Sequence, residues 1–418
     1  MSENIAQTVK EIAKAARACA HELAMATTEK KNAALNFAAQ CLEQNTDKIL
    51  EANKKDLAAL PADYQPSFID RLTLNKDRVL AMAKGLKDIA ALPDPVGRTL
   101  AKWDVPSGLK IERTATPLGV IGVIFESRPN VCADAGALCL KSGNPVVLRG
   151  GADSLNSCKE IAACLQQGLE KAGLNKNCIQ LIPLKEREAV DELLKQKDFI
   201  DVIIPRGGKK LVEKVSASPI PTFKHLNGIC HTYVHKNAVP EMAVKVVINA
   251  KLRRTSICGA TETLLIDKDY GAENTARLLT ELKNAGCEIK ADENILKLMP
   301  GLTPAAEEDW GTEYLDAIVS AKIVNGVSEA VEHIGKYSSS HTEAIITEDA
   351  QAAEDFLNAV DSAVVMHNAS TQFCDGGEFG MGAEIGIATG RLHARGPVGL
   401  EQLCTFKYKV RGTGQTRA

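Results

Sequence analysis

The rhythm of residues 117–366 constrains the fold more than any other feature of this chain. Short apolar runs, "PLGVIGVIF", "NPVVLRG", "CIQLIP" and "IDVIIPRGG", alternate with stretches whose apolar residues recur every three or four positions, "SLNSCKEIAACLQQGLEKAG" and "EREAVDELLKQ". Runs of the first kind are strands and stretches of the second kind are helices. Their alternation predicts parallel strands joined by right-handed crossovers, with ligand-binding loops at the carboxyl ends of the strands. A second series follows "VPEMAVKVVINAK": "ATETLLID", "TARLLTELKNAG", "DAIVSAKIV", "SEAVEHIGKY", "TEAIITED" and "SAVVMHN". This series predicts a second α/β unit with its own sheet. The length, 418 residues, is more than one core usually fills, which agrees with two domains.

The flanks read differently. The first hundred residues are predicted as helices, ended by Pro93 and Pro95. "LAKWDVPSGLKIERTAT" alternates about a Pro-Ser-Gly turn and predicts a hairpin, to which the strand-like tail "LEQLCTFKYKVRGTG" can pair. That hairpin has little to bury alone, so an arm used against another element or another subunit is expected. The net charge of -3 lacks the basic excess that nucleic acid or an anionic membrane would require. Apolar runs fall far short of the roughly 18 residues of a membrane span, and the charged N-terminus has no export-signal core. A cytoplasmic location is expected.

Twelve cysteines are scattered without any C-x-x-C pair, which predicts reduced, buried thiols that pack as small hydrophobes. Cys258, in "AKLRRTSICGATETLLID", is the exception to consider. A thiol of ordinary pKa is about 3% thiolate at neutral pH, and a drop of about one unit raises that to roughly a quarter. Arg253 and Arg254 are placed in sequence to assist, and Gly259 and Ala260 leave room for a substrate. No hydrolase triad or metal-ligand cluster competes with the thiol. For anions, Arg149 ends a predicted strand before Gly150 and Gly151, and Arg206 repeats the pattern before Gly207, Gly208 and a helix. Two such strand ends point to phosphate groups, although neither a Walker loop nor G-x-G-x-x-G occurs. The glycine-rich "GGEFGMGAEIG" suits a tight turn as well as a ligand loop.

The stretches "GVIGVIFESRPNV", "VIIPRGGKKLVEKV", "KHLNGICHTYV", "EYLDAIVSAKIV", "GKYSSSHTEAIITED" and "DGGEFGMGAEIGIATGRLHARGPVGLEQL" resemble the gamma-glutamyl phosphate reductase family of the aldehyde dehydrogenase superfamily over essentially the whole chain. The resemblance implies an aldehyde dehydrogenase-like α/β fold. It assigns residues 1–100 and 117–228 to a Rossmann-type NADP(H)-binding domain and 229–366 to a catalytic domain. Residues 101–116 and 400–418 would form a small β arm for homo-oligomerisation. Cys258 matches the family nucleophile. Ser127, Arg128 and Asn130 lie where the superfamily has an oxyanion-holding asparagine, with Asn130 the same residue type. Arg149 stands where a lysine usually meets the adenosine ribose, and Gly150, Arg206, Gly207 and Gly208, at the two strand ends, are the further cofactor-binding candidates. Glu313 resembles the glutamate on the nicotinamide ribose. Arg128, Arg253, Arg254, Ser339, Ser340 and His341 are candidates to hold the substrate, and no metal is implied.

One departure bears on the reaction. Hydrolytic members carry a water-activating glutamate in a motif shaped like "LELGG", whereas "KHLNG" has His225 or Leu226 at that place. The expected reaction is therefore NADPH-dependent reduction of L-glutamyl 5-phosphate to glutamate 5-semialdehyde through a thioester, in proline biosynthesis, with glutamate 5-kinase as a candidate partner. A hydrolytic aldehyde dehydrogenase is the nearest rival. A silent nucleotide-binding scaffold is the rival from another class, and the presence of both Cys258 and Glu313 weighs against it.

Overall fold

The fold is that of a computed structural model, which describes residues 2–223 and 227–417. Contacts divide the chain into two compact units. The first takes Met1–Lys224, Gly380–Gly386 and Val398–Ala418, and the second takes His225–Phe379 and Ile387–Pro397.

In the first unit the N-terminal helices Ser2–Ala24, Thr28–Gln44, Thr46–Ala58 and Lys76–Ala91 form where the periodicity places them. Two of their starts are set by side-chain caps, Thr27 accepting from the Lys30 amide and Asn75 from that of Arg78. Strands β1 (Thr99–Asp104) and β2 (Lys110–Pro117) make the antiparallel hairpin, and the C-terminal strand Cys404–Arg411 pairs along the whole of β2. A separate parallel sheet has the order β5-β4-β3-β6, from β3 (Ile121–Phe125), β4 (Val146–Arg149), β5 (Ile179–Leu181) and β6 (Val202–Arg206). The chain steps outward from β3 to β5 and then returns to the other side of β3. The switch point therefore lies between β3 and β6, where such sheets bind ligands. The helix Asn130–Lys141 follows β3; it is buried almost all round, so its sequence shows no periodicity by which it could be foreseen.

The second unit is built on a seven-stranded, wholly parallel sheet. Its strands are β7 (Cys230–Val234), β8 (Thr261–Asp267), β9 (Glu288–Ala291), β10 (Thr303–Pro304), β11 (Ile318–Val324), β12 (Thr342–Ile346) and β13 (Val364–His367), in the order β10-β9-β11-β8-β7-β12-β13. Strands β7, β8 and β12 are buried on both faces. The core gathers Val234, Val247, Leu264, Ile266, Leu278, Leu282 and Val319 under the helices Pro240–Leu252 and Ala272–Asn284. Strand β7 breaks the apolar-run rule because His231 and Thr232 are polar. Inside the unit His231 Nδ1 meets Glu343 and the Thr232 hydroxyl meets Thr261, while the buried His231 Nε2 has no hydrogen-bond partner among the described residues.

Contacts and composition draw the boundaries differently. The β arm groups with the first unit, since its third strand and β2 pair over their full length. The second unit runs past residue 366 to Phe379 and takes back Ile387–Pro397. Among the described residues no helix is long and apolar enough to cross a membrane, and no cluster of metal-ligating side chains is found.

Candidate active site

Cys258 sits in the loop between the helix Pro240–Leu252 and β8, at the amino end of that strand. The Ala260 amide donates to the Ile257 carbonyl at 3.0 Å, so Cys258 and Gly259 are the central residues of a tight turn. Of the twelve cysteines eleven are buried, and Cys258 alone is partly exposed. Exposure, which no sequence pattern reveals directly, sets this thiol apart. Behind the turn the hydroxyls of Thr232, Thr261 and Thr371 form a buried chain with contacts of 2.7 and 3.0 Å.

The segment leading into β7 lies against this turn. A Cβ on Gly228 would fall 2.1 Å from the Cys258 carbonyl oxygen and 2.5 Å from its Cα, so only glycine allows the approach. The Gly228 amide donates to Glu313 Oε1 at 2.8 Å, the Ile229 amide to Ser339 Oγ at 2.9 Å, and Cys230 Sγ to the Cys258 carbonyl at 3.1 Å. Burial pushes the Glu313 carboxyl up, while the Gly228 amide and the Lys251 charge pull it back. One short segment thus ties together Cys258, Glu313 and Ser339, which lie far apart in sequence.

Glu343 organises the serine loop from beneath. It is fully buried, and it accepts from the His231 amide at 2.7 Å, from the hydroxyl of Ser338, and from Ser362 Oγ at 3.0 Å, with His231 Nδ1 3.0 Å away. Ser340 is held with φ 58°, its amide donating to Ser338 Oγ at 2.8 Å. His341 is completely buried, with Nδ1 2.8 Å from Thr342 Oγ1 and 3.5 Å from Cys230 Sγ, so it packs behind the loop that Ser339 and Ser340 form. Arg253 and Arg254 are exposed, and Arg253 Nη1 donates to Gln372 Oε1 at 3.2 Å. His225 and Leu226, at the place of the hydrolytic glutamate, lie outside the described residues.

In the first unit the loop after β3 carries the oxyanion candidates. Ser127 is buried at φ 45°, and its hydroxyl donates to Asp153, with Tyr64 Oη 3.2 Å away and itself donating to Asp153 at 2.7 Å. Arg128 is half-buried. Asn130 is exposed at the start of its helix and donates to Asp134 Oδ2 at 3.0 Å. Arg149 differs from the expectation of a fork open to a ribose or phosphate. The residue is 6% exposed, with Nη1 donating to the Gly150 carbonyl at 2.5 Å and Nη2 to those of Lys185 and Glu186 at 3.3 and 3.1 Å. Loop carbonyls at the end of a buried strand need donors, and the guanidinium provides them. Arg206 ends β6 half-buried beside Gly386.

Comparison with known proteins decides the family. The aldehyde dehydrogenase family model matches residues 1–295. Gamma-glutamyl phosphate reductase of Brucella suis biovar 1 is 56% identical over 100% of both chains, and that of Rhizobium johnstonii is 57% identical over 98% of this chain and 96% of its own. The chain belongs to the gamma-glutamyl phosphate reductase branch of the aldehyde dehydrogenase family. The crystal structure of gamma-glutamyl phosphate reductase from Thermotoga maritima superposes with a TM-score of 0.96 at 41% identity, covering 98% of this chain and 100% of that one.

Membership carries a nicotinamide dinucleotide as cofactor, and the first unit fits one. At the switch point the Gly208 amide, opening the helix Lys209–Ser216, donates to Glu126 Oε2 at 3.0 Å. A Cβ on Gly207 would meet the same oxygen at 2.5 Å. A carboxylate thus occupies the amide at this helix start, the place where a helix N-terminus takes an anion. Sequence reading missed Gly228 and Glu343. For Glu343 a signal existed: a charged residue inside a run otherwise read as a buried strand must have a buried partner.

Proposed function

We propose that this chain reduces L-glutamyl 5-phosphate to L-glutamate 5-semialdehyde and phosphate with NADPH, as a cytoplasmic step of proline biosynthesis. The observation that carries the reading is Cys258: alone among twelve cysteines it is accessible, and it sits in a tight turn against Gly228, whose amide Glu313 holds, in a chain that matches reductases end to end. The Cys258 thiolate attacks the acyl carbon of the substrate, the bond to phosphate breaks, and the acyl group remains on sulfur as a thioester. Asn130 or Arg128 holds the oxyanion, the Ser127 proton being committed to Asp153. When bound, the dinucleotide supplies the hydride that carries the thioester to the aldehyde level. Collapse of the resulting thiohemiacetal frees the aldehyde and returns the thiol.

Cofactor and substrate are held by separate sets of residues. Gly207, Gly208 and Arg206 at the switch point receive the diphosphate, and Glu313 takes the nicotinamide ribose. Arg149 and Gly150 act at the adenosine end through the loop they shape, which bears Lys185 and Arg187. Ser339, Ser340, Arg128, Arg253 and Arg254 hold the charged ends of the substrate, with His341 supporting the serines from behind. The partner is a second copy of the chain, met by the exposed Leu100, Trp103, Phe406, Tyr408 and Val410 of the β arm. Glutamate 5-kinase is a further partner, because the acyl phosphate is labile.

The deciding experiment runs the reaction in reverse. With glutamate 5-semialdehyde and NADP+, steady NADPH formation is expected to depend on added phosphate or arsenate. Without either, a burst of at most about one NADPH per site should appear, from acyl-enzyme that accumulates. Sustained turnover in phosphate-free buffer with free glutamate as product would make this chain a hydrolytic dehydrogenase instead.

A further inference from the structure

Lys251 and Glu262 bracket the nucleophile loop. Lys251 lies in the last turn of the helix Pro240–Leu252 and Glu262 is the second residue of β8; their side chains form an ion pair in which both are completely buried. Burial pushes the Glu262 carboxyl up to about 7, against the pull of the Lys251 charge. Taking two charges out of water is expensive, and an apolar pair of similar volume commonly supports a fold as well or better. Stability alone does not account for this pair.

The second oxygen of Glu262 has its own partner. Oε1 accepts from the Leu315 amide at 3.3 Å. Leu315 has φ 54°, a conformation that bulky residues rarely adopt, and the residue is 43% exposed, so core packing does not hold it there. Two residues earlier in the same loop is Glu313, whose carboxylate takes the Gly228 amide, and Gly228 lies against the Cys258 backbone. The Lys251 ammonium also lies 5.9 Å from the centre of the Tyr314 ring in that loop. The contacts close a ring: nucleophile loop, Glu262, Leu315, Glu313, Gly228, nucleophile loop.

We propose that Lys251 and Glu262 are positioning residues, Lys251 orienting the carboxylate and Glu262 holding the strained Leu315 amide, so that Glu313 is fixed relative to Cys258. The inference rests on Cys258 as nucleophile and Glu313 as cofactor ligand. Neither Lys251 nor Glu262 exchanges a proton with substrate in this scheme.

Two double variants and one wild-type measurement test it. Lys251→Met with Glu262→Leu removes both charges at similar volume. It should keep a wild-type melting temperature to within a few degrees yet lose about tenfold or more in kcat. Lys251→Met with Glu262→Gln keeps an acceptor oxygen for Leu315 and should recover most of that loss. A purely structural pair predicts the reverse: kcat follows melting temperature, and the two doubles behave alike, which would overturn the proposal. In wild-type protein the Leu315 amide should exchange with deuterium as slowly as amides of β8, despite its exposed loop. Exchange at the rate of an open loop would overturn the proposal even if every variant misfolds. Cys258→Ala in the same assay separates the two readings: turnover by that variant would defeat the nucleophile assignment while leaving the exchange result to judge the pair.

Discussion

Replacing Gly228 with alanine would place a methyl group 2.1 Å from the Cys258 carbonyl oxygen, 2.5 Å from its Cα and 2.6 Å from its carbonyl carbon. All three are backbone atoms, so no change of rotamer relieves the clash. Ordinary contact begins at 3.4 Å, and one segment must therefore move by about 1 Å. Neither is free to do so. The Gly228 segment is tied to Glu313 and Ser339 through successive amides, and the Cys258 turn is held by the Ala260 to Ile257 hydrogen bond and by the buried pair at its ends. A displacement of that size at a reacting atom lowers the rate on the order of 100-fold, while the stability penalty of overpacking is about 1–3 kcal/mol. In Gly228→Ala, kcat should fall by about two orders of magnitude. The melting temperature should fall by only a few degrees. Single-turnover thioester formation, followed by quenched mass spectrometry at Cys258, locates the loss in the acylation step. A variant with kcat within about threefold of wild type would show that the turn adapts without cost and that close approach at Gly228 does not set the thiol's position.

Cys258→Ala should abolish turnover with the fold intact, and iodoacetamide should label Cys258 before the eleven buried cysteines, as peptide mass spectrometry will show. Arg149→Ala should lower the ratio of kcat/KM for NADPH over NADH, since removing three carbonyl contacts loosens the loop bearing Lys185 and Arg187; an unchanged ratio removes Arg149 from cofactor selection. His333 is buried with no hydrogen-bond partner for either ring nitrogen, and burial, with the His231, Lys322 and Lys336 charges, holds its pKa down to about 3. The unfolded chain therefore binds the proton first. The neutral ring contributes stability above the ordinary histidine range that is lost as pH falls toward 3, at up to about 1.4 kcal/mol per unit. His333→Phe, fitted between Trp310 and Tyr337, should match wild type at pH 7 and exceed it at pH 5 in thermal unfolding.

Much of the fold was legible because the apolar periods are local. The helices before Pro93, the hairpin and the alternating series appear where their spacing places them. Two elements were not legible, and for opposite reasons. The helix Asn130–Lys141 is buried almost all round, so it carries no amphipathic signature. Strand β7 begins with cysteine, histidine and threonine, and partners distant in sequence, Glu343 and Thr261, meet its His231 Nδ1 and Thr232 hydroxyl. Of the expected site residues, Cys258, Glu313 and Ser339 converge on the segment at residues 228–230, whereas Arg149 turns its donors to the backbone and His341 is sealed inside.

The sequence alone determined the class of fold, two α/β units with parallel sheets, because strand and helix periods depend on neighbours within a few residues. It also singled out the thiol, because a cysteine among small residues before a strand resembles one family's nucleophile. Which of twelve thiols reaches solvent was a tertiary decision. So was the approach of Gly228 to the Cys258 backbone, which joins residues thirty apart in the chain, and so was the pairing of Lys251 with Glu262 in the interior. Exposure, close approach and the satisfaction of buried charge depend on groups remote in sequence, and only the packed sheet brings those groups together.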